Sequence, residues 1–229
     1  MVLDGGSIDG SAEIIRKYEP WLAYWRSECD GGQSAAIAEG FERATGEILA
    51  WLNSDDRYQP GSLGRAVRFL IARPRAAFAG GDTYRINMVG RIERRIFAVP
   101  PNRFLTAHLG RHSLAQPSCF WRRDAYERAG GLDRTLRFCM DRDLFIRLFA
   151  VGPSYRIPGP PLADFRIHDS SKTSTLVDIH QQESELLIAR YGTSPLRRIP
   201  WILEMLWGWW YRPTAGLRRR LNRSFGWEY

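Results

Sequence analysis

An α/β fold with an open sheet is predicted, and three observations carry that prediction. Ile48-Leu49-Ala50-Trp51-Leu52 is a continuous apolar run of strand length, as expected of a strand covered on both faces. It ends abruptly in Asn53-Ser54-Asp55-Asp56, and ligands of open α/β sheets bind beyond the carboxyl ends of such strands. Upstream, two strand-like segments each run through a glycine-bearing loop into a helix-forming stretch.

The 229 residues, 44% hydrophobic, suffice for one substantial core, so one domain with a tail is expected. A formal charge of +8 attracts polyanions, but nucleic acid, an anionic membrane and diphosphate-bearing small molecules all satisfy that field. Cys29, Cys119 and Cys139 lack metal-ligand spacing, which fits a reducing compartment. The longest apolar run falls short of a membrane span and no secretory signal opens the chain, so the expected location is cytoplasmic, soluble or peripheral.

Taken in order, Met1-Val2-Leu3 reads as a strand end, and the loop Asp4 to Ser11 leads into a helix from about Ala12 to Tyr18 with Asp9 as its N-cap. Asp4 has no capping duty, which leaves it either a ligand acceptor or a turn residue. Trp21 to Trp25 reads as a second strand. Glu28 to Gln33 then opens a helix reaching about Ala44, where Gly31, Gly32 and Gln33 form either an anion site at the helix start or an ordinary glycine turn. Ala36, Gly40 and Ala44 make a smooth stripe on that helix for close packing.

The adjacent carboxylates of Asp55 and Asp56 repel one another unless solvent or a cation lies between them, and hard ions such as Mg2+ or Mn2+ favour such oxygens. Leu63, Val67, Leu70 and Ile71 have helical spacing, and the segment stops before Pro74. Strand pieces follow over Ala76–Gly80, Gly81–Asn87 and Arg91–Phe97, then an irregular cover over Pro100–Leu114. Gln116 to Arg123 reads as a strand entering a helix at Asp124, which Gly130-Gly131 stops.

In the next helix Met140, Leu144 and Leu148 share one face, and Asp143 stands four residues before Arg147, an ion-pair spacing. Asp141 has no such partner. Beside the buried stripe it fits a base, or a carboxylate complementing the helix dipole. Leu162 to Ile167 is the last strand, followed by His168 and a helix over Val177–Tyr191. Ile199 to Tyr211, bordered by Arg197, Arg198, Arg212 and Arg218 to Arg220, suits either an interfacial helix on an anionic membrane or a helix packed on protein.

With these residues in view, the chain resembles the family 2 inverting glycosyltransferases of the GT-A fold. The likeness runs from about Val2 to Thr173 and rests on five motifs in the family's order after the Asp4–Ser11 loop: Asp30-Gly31-Gly32-Gln33, Trp51 to Asp56, Gln116-Pro117-Ser118, Asp141-Arg142-Asp143-Leu144 and Arg166-Ile167-His168. It implies a three-layer α/β/α sandwich with a mixed, mostly parallel sheet over residues 1–175, and a helical, aromatic and basic tail over 176–229. Asp4 would contact the base of a nucleoside diphosphate sugar, Asn53 its ribose, and Asp55 a divalent cation with Asp56 alongside. Gln33 would also bind substrate, Gln116 would lie on the acceptor side, Asp141 would be the catalytic base, and His168 and Lys172 would close over the diphosphate. Where Asn53 stands the family usually carries aspartate.

Family members begin with a strand and helix ahead of the loop matched by Asp4, so an N-terminally truncated copy is expected. The implied activity is metal-assisted transfer of a sugar, with inversion, to a glycan or lipid-linked acceptor in cell-envelope polysaccharide synthesis. The alternatives are a non-catalytic module binding an anionic membrane or nucleic acid, or an inactive truncated transferase. Scattered basic residues without a nucleic-acid motif make nucleic acid the less expected partner.

Overall fold

Two buried faces of one strand group organise the chain, a computed structural model of which describes residues 1–109, 114–168 and 171–192, with positions 205, 208 and 209. Strand β1 (Val2–Asp4) leads through helix α1 (Ser11–Lys17) and a 3-10 turn at Glu19–Trp21 to β2 (Trp25–Ser27), which pairs with β1 in parallel. Helix α2 (Gln33–Arg43), β3 (Ile48–Leu49), β4 (Arg57–Tyr58), α3 (Ser62–Ile71), β5 (Phe78–Gly80), β6 (Thr83–Ile86) and β7 (Ile92–Ile96) follow. Next come α4 (Arg103–Leu109), a 3-10 turn at Gln116–Ser118, β8 (Cys119–Arg122), α5 (Arg123–Arg128) and α6 (Met140–Val151). The described elements end with β9 (Ser154–Arg156), β10 (Ala163–Arg166), α7 (Lys172–Thr175) and α8 (Val177–Tyr191).

The group β3-β8-β5-β9 is the spine. Successive side chains on a strand point to opposite faces. Leu49, Phe78 and Trp121 enter a large core with Phe41 of α2, Ala125 of α5 and Leu144, Phe145 and Leu148 of α6. Their strand neighbours Ile48, Ala79 and Phe120 face a smaller core with Ala66 and Leu70 of α3, Ile157 and Leu162. Helices therefore cover both faces, which is the expected three-layer arrangement. Edge-on ring contacts of Trp121 with Phe41 at 5.7 Å and Trp51 at 5.4 Å add about 0.5–1.5 kcal/mol each to the burial of these rings. A Cβ on Gly40 would stand 3.1 Å from Leu3 Cδ1, so the smooth stripe on α2 does serve close approach to β1.

The second group, β4-β10-β6-β7, joins the first through Asp82. This fully buried carboxylate accepts from Arg95 Nε and Nη2 at 3.0 and 2.7 Å, from Arg156 Nη2 at 3.1 Å and from the Ala98 amide at 2.9 Å. Among described residues three pairings are parallel and four antiparallel, so the sheets are mixed without being mostly parallel. The cause is topological: β6 and β7 form a hairpin closed at Asn87–Gly90, and β8 runs antiparallel to both β3 and β5.

Several local expectations change. Pro20 starts a 3-10 turn, so the second strand begins only at Trp25. Gly10, at φ 88°, takes the N-cap position of α1, and Asp9 instead accepts from the Ser11 amide and hydroxyl at 3.1 and 2.7 Å. Residues 103–109 are helical rather than irregular, and Pro117 holds Gln116–Ser118 in a 3-10 turn ahead of β8. Helix α8 lies beyond the expected boundary at residue 175, yet its Leu187 is fully buried in the large core. The expected interfacial segment Ile199 to Tyr211 falls outside the described residues, save at three isolated positions. No helix among the described residues is long and apolar enough to cross a membrane.

Candidate active site

The turn after β3 closes by donation from the Asp56 amide to the Asn53 carbonyl at 3.1 Å, and Asn53 Nδ2 donates to Asp56 Oδ2 at 3.3 Å. Asp56 turns inward and accepts the Arg166 amide at 2.9 Å. Loss of solvent lifts its carboxyl to about 7; the charge of Asp55 adds to the lift, while the bonds from Arg166 and Asn53 oppose it. Asp55 turns outward, half-exposed, with Oδ2 3.4 Å from His168 Nε2. Arg166 holds this turn against the β6–β7 hairpin by donating to the carbonyls of Asp55 at 2.8 Å, Asn87 at 2.8 Å and Met88 at 2.7 Å.

Gln33, the first residue of α2, spans two other segments. Its Nε2 donates to Asn53 Oδ1 at 2.7 Å, while its Oε1 accepts Lys172 Nζ at 2.6 Å, and Lys172 also donates to the Arg137 carbonyl at 3.2 Å. Burial lowers the proton affinity of that ammonium, and Arg137 lowers it further. Lys172, Gln33, Asn53 and Asp56 thus form one continuous polar chain.

Asp4 anchors its own loop. Its Oδ2 accepts the Ser27 hydroxyl at 2.6 Å and the amides of Gly6 and Ser7 at 3.2 and 2.9 Å, and its Oδ1 accepts the Ser7 hydroxyl at 2.5 Å. The Ser27 bond first, then Ser7, holds the carboxyl down at about 2. An acceptor position remains on Oδ1, since each carboxylate oxygen carries two lone pairs. The loop abuts the start of α2: a Cβ on Gly5 would lie 3.6 Å from Asp30 Oδ1, which accepts the Gly32 amide at 2.7 Å.

Gln116 donates from Nε2 to the Trp51 carbonyl at 2.9 Å, at the end of the central strand, and its buried Oε1 has no partner among the described residues. Three residues on, Cys119 is buried, and burial followed by the charge of Asp141 raises its thiol pKa. Tyr58 is raised by burial, then by Cys119 and Asp56. The charge of Asp141 is thus felt at Cys119, and that of Asp56 at Tyr58. Asp141 itself is half-buried in the first turn of α6 and accepts the Arg142 amide at 2.7 Å.

Residues 1–130 match the family model described as Glycosyl transferase family 2. The chain belongs to glycosyl transferase family 2. An uncharacterized glycosyltransferase of Mycobacterium tuberculosis is 29% identical over 150 residues, covering 64% of this chain and 55% of that protein. One from Rickettsia prowazekii is 23% identical over 202 residues, covering 81% and 60%. This family 2 chain thus spans a little over half the length of the curated relatives it matches. Two solved structures share its GT-A fold. TarS 1-349 of S. aureus with UDP-GlcNAc has a TM-score of 0.59 at 14% identity, over 83% of this chain and 61% of that one. A Pyrobaculum calidifontis mannosyltransferase with GDP-Man and Mn2+ has 0.60 at 17%, over 97% and 65%.

Within the family 2 chain, Asp143 of α6 pairs with Arg147 as their i,i+4 spacing predicts. Asp143 is fully buried, accepting from Arg147 through Nε at 2.9 Å and again through Nη2, from Tyr191 Oη at 2.7 Å and from Arg190 at 3.4 Å. Asp55 and His168 are a close pair of metal-ligand side chains on the rim, and among the described residues no group of three or more His, Cys, Asp or Glu suited to a metal occurs. Ser27 and Glu183 escape sequence reasoning, since the partners they hold lie far away along the chain and no local pattern marks them, and Arg166, though part of a quoted motif, is given no role by it.

Proposed function

We propose that this chain transfers a sugar from a nucleoside diphosphate sugar to an acceptor hydroxyl, inverting the anomeric centre with the help of a divalent cation. The carrying observation is the polar chain Lys172–Gln33–Asn53–Asp56, which gathers three separated segments beside the Asp55–His168 pair. Membership of the family supports the reaction class. UDP-GlcNAc in one structural neighbour, and GDP-Man with Mn2+ in another, support the donor class.

Asp4, with an acceptor position left on Oδ1, would receive a base N–H, and Asn53 would stand beside the ribose. A carboxylate and an imidazole 3.4 Å apart fit two positions of a Mn2+ or Mg2+ shell, so Asp55 and His168 would hold the ion, with the remaining positions left to water and diphosphate. Bound there, a cation neutralises charge on a departing diphosphate. Lys172 and the amides at the start of α2 would bind the same diphosphate. Gln116 would face the acceptor, a glycan or lipid-linked glycan, and Asp141 would take the proton from its attacking hydroxyl. An acceptor carried by a membrane would suit a peripheral location on the inner face of the cell membrane.

Asp141→Asn should abolish transfer from UDP-GlcNAc or GDP-Man while nucleotide affinity, measured by calorimetry with Mn2+, stays within about twofold; wild-type transfer would overturn the assignment. Asp55→Ala should instead remove the Mn2+ dependence of nucleotide binding, and an unchanged titration would count against it.

A further inference from the structure

The N-cap residue of helix α6, Cys139, makes no side-chain cap bond. The amides just ahead of it are taken by a residue from more than forty positions away. Glu183 of α8 accepts the Arg137 amide on Oε1 at 2.6 Å, and the Phe138 and Cys139 amides on Oε2 at 2.9 and 2.7 Å. Bonds from consecutive amides to one carboxylate are charge-assisted and fix both the place and the tilt of that segment. Arg137 is gripped from its other side as well, since its carbonyl accepts Lys172 Nζ.

A second grip lies one residue past Asp141. Arg142 donates from Nη1 to the Ser184 hydroxyl and from Nη2 to the Ser184 carbonyl, each at 2.9 Å. Neighbouring residues of α8 therefore hold the chain before and after Asp141. The charge of Glu183 is also felt at the Cys139 thiol and the Lys172 ammonium, so it stands where the Asp141 helix meets the polar chain of the rim.

We propose that Glu183 is a positioning residue for Asp141, clamping residues 137–139 so that the Asp141 carboxylate meets the acceptor hydroxyl. This rests on the assignment of Asp141 as the base. A general base must stand within about 2.6–3.2 Å of the group it deprotonates, and a misplacement of about 1 Å can cost about a hundredfold. Glu183→Ala removes all of these bonds. Glu183→Gln keeps an amide oxygen that can serve Phe138 and Cys139, but sets an NH2 group against the Arg137 amide.

The full chain, Glu183→Ala, Glu183→Gln, Asp141→Asn and the Asp141→Asn/Glu183→Ala double variant are compared in transfer from UDP-GlcNAc or GDP-Man, in calorimetry of UDP or GDP with Mn2+, and in amide hydrogen exchange. Glu183→Ala should lower kcat by about 10- to 100-fold with nucleotide Kd within about twofold, and Glu183→Gln should fall between it and wild type. In the Asp141→Asn background the alanine change should lower whatever residual transfer is measurable no further, since the base it positions is gone. Exchange over residues 137–141 should rise about tenfold or more in Glu183→Ala, a readout that needs no sugar and that Glu183→Gln repeats in smaller measure if the alanine variant folds poorly. Wild-type kcat in Glu183→Ala, an equal loss in the Asp141→Asn background, or unchanged exchange would each overturn the inference. Wild-type transfer by Asp141→Asn would instead remove the base assignment, and the role of Glu183 with it.

Discussion

Asp141 and Asp143 stand two residues apart on α6, and truncating each should have opposite consequences. Asp143 is fully buried and charge-paired with Arg147, which is mostly buried too and also donates to the carbonyls of Gly131, at 2.6 Å, and Ala129. Removing one member of a buried pair costs about 3–5 kcal/mol, because the remaining charge stays desolvated. The Gly131 and Ala129 carbonyls soften that cost, and the lost Tyr191 bond adds about 1 kcal/mol. At about 2–4 °C per kcal/mol for a chain of this size, Asp143→Ala should melt roughly 6–20 °C below wild type. Asp141→Asn changes a half-buried, isosteric group and should move Tm by no more than about 2 °C while abolishing transfer. Circular dichroism melts at neutral pH and one scan rate decide the matter. Asp143→Ala melting within about 2 °C of wild type, or Asp141→Asn losing as much as Asp143→Ala, would refute the division of labour.

Asp56 carries a pH dependence. Its carboxyl sits at about 7 in the folded chain against 3.8 when unperturbed, so the stability associated with its bound proton is complete below about pH 4 and lost as pH rises through about 7. Wild type should therefore lose up to about 4 kcal/mol relative to Asp56→Asn between pH 4 and pH 8 in chelator-treated buffer, and parallel melting profiles would contradict this. Ser27→Ala deletes the largest influence on Asp4, so a carbon-13 NMR titration should find that carboxyl above its present value of about 2, and no movement would contradict the hydrogen-bond account. Gly81→Ala would set a Cβ 2.4 Å from Cδ1 of fully buried Leu162, and urea unfolding should register a loss of about 1–3 kcal/mol; wild-type stability would mean that Leu162 has room to move.

Much of the site could be read from residues whose chemistry is local. Of the apolar run before Asn53 only Ile48–Leu49 forms strand, and these two residues do go to different cores, while Leu52 is exposed. The i,i+4 spacing of Asp143 and Arg147 contains the whole of their interaction. The stripe Met140, Leu144 and Leu148 is buried as its periodicity requires. On α3 the helix forms as the spacing predicts, yet Leu70 and Ala66 face the core, while Leu63, Val67 and Ile71 stand 50%, 37% and 63% exposed. Helical spacing names a stripe but not which edge of it the neighbouring layer covers. Strands of two or three residues such as β9 and β4 owe their existence to pairing partners, which no window of sequence contains.

The departures from a mostly parallel sheet are what assemble the site. Because β8 runs antiparallel to β3, with Ile48 opposite Arg122 and Leu49 opposite Trp121, the beginning of β8 lies beside the end of β3. That is how Gln116, ahead of β8, reaches the Trp51 carbonyl. The same holds for β10, antiparallel to β4 with Ala163 opposite Tyr58 and Asp164 opposite Arg57. Continuing that register carries Arg166 to Asp55 and Asp56, and His168 to the outward face of Asp55. Had β8 paired in parallel, Gln116 would lie at the opposite end of the strand, about 10–13 Å away at about 3.3 Å per residue. Sheet direction, more than any single motif, is therefore what brings carboxylates, amides and imidazole from separated segments to one rim.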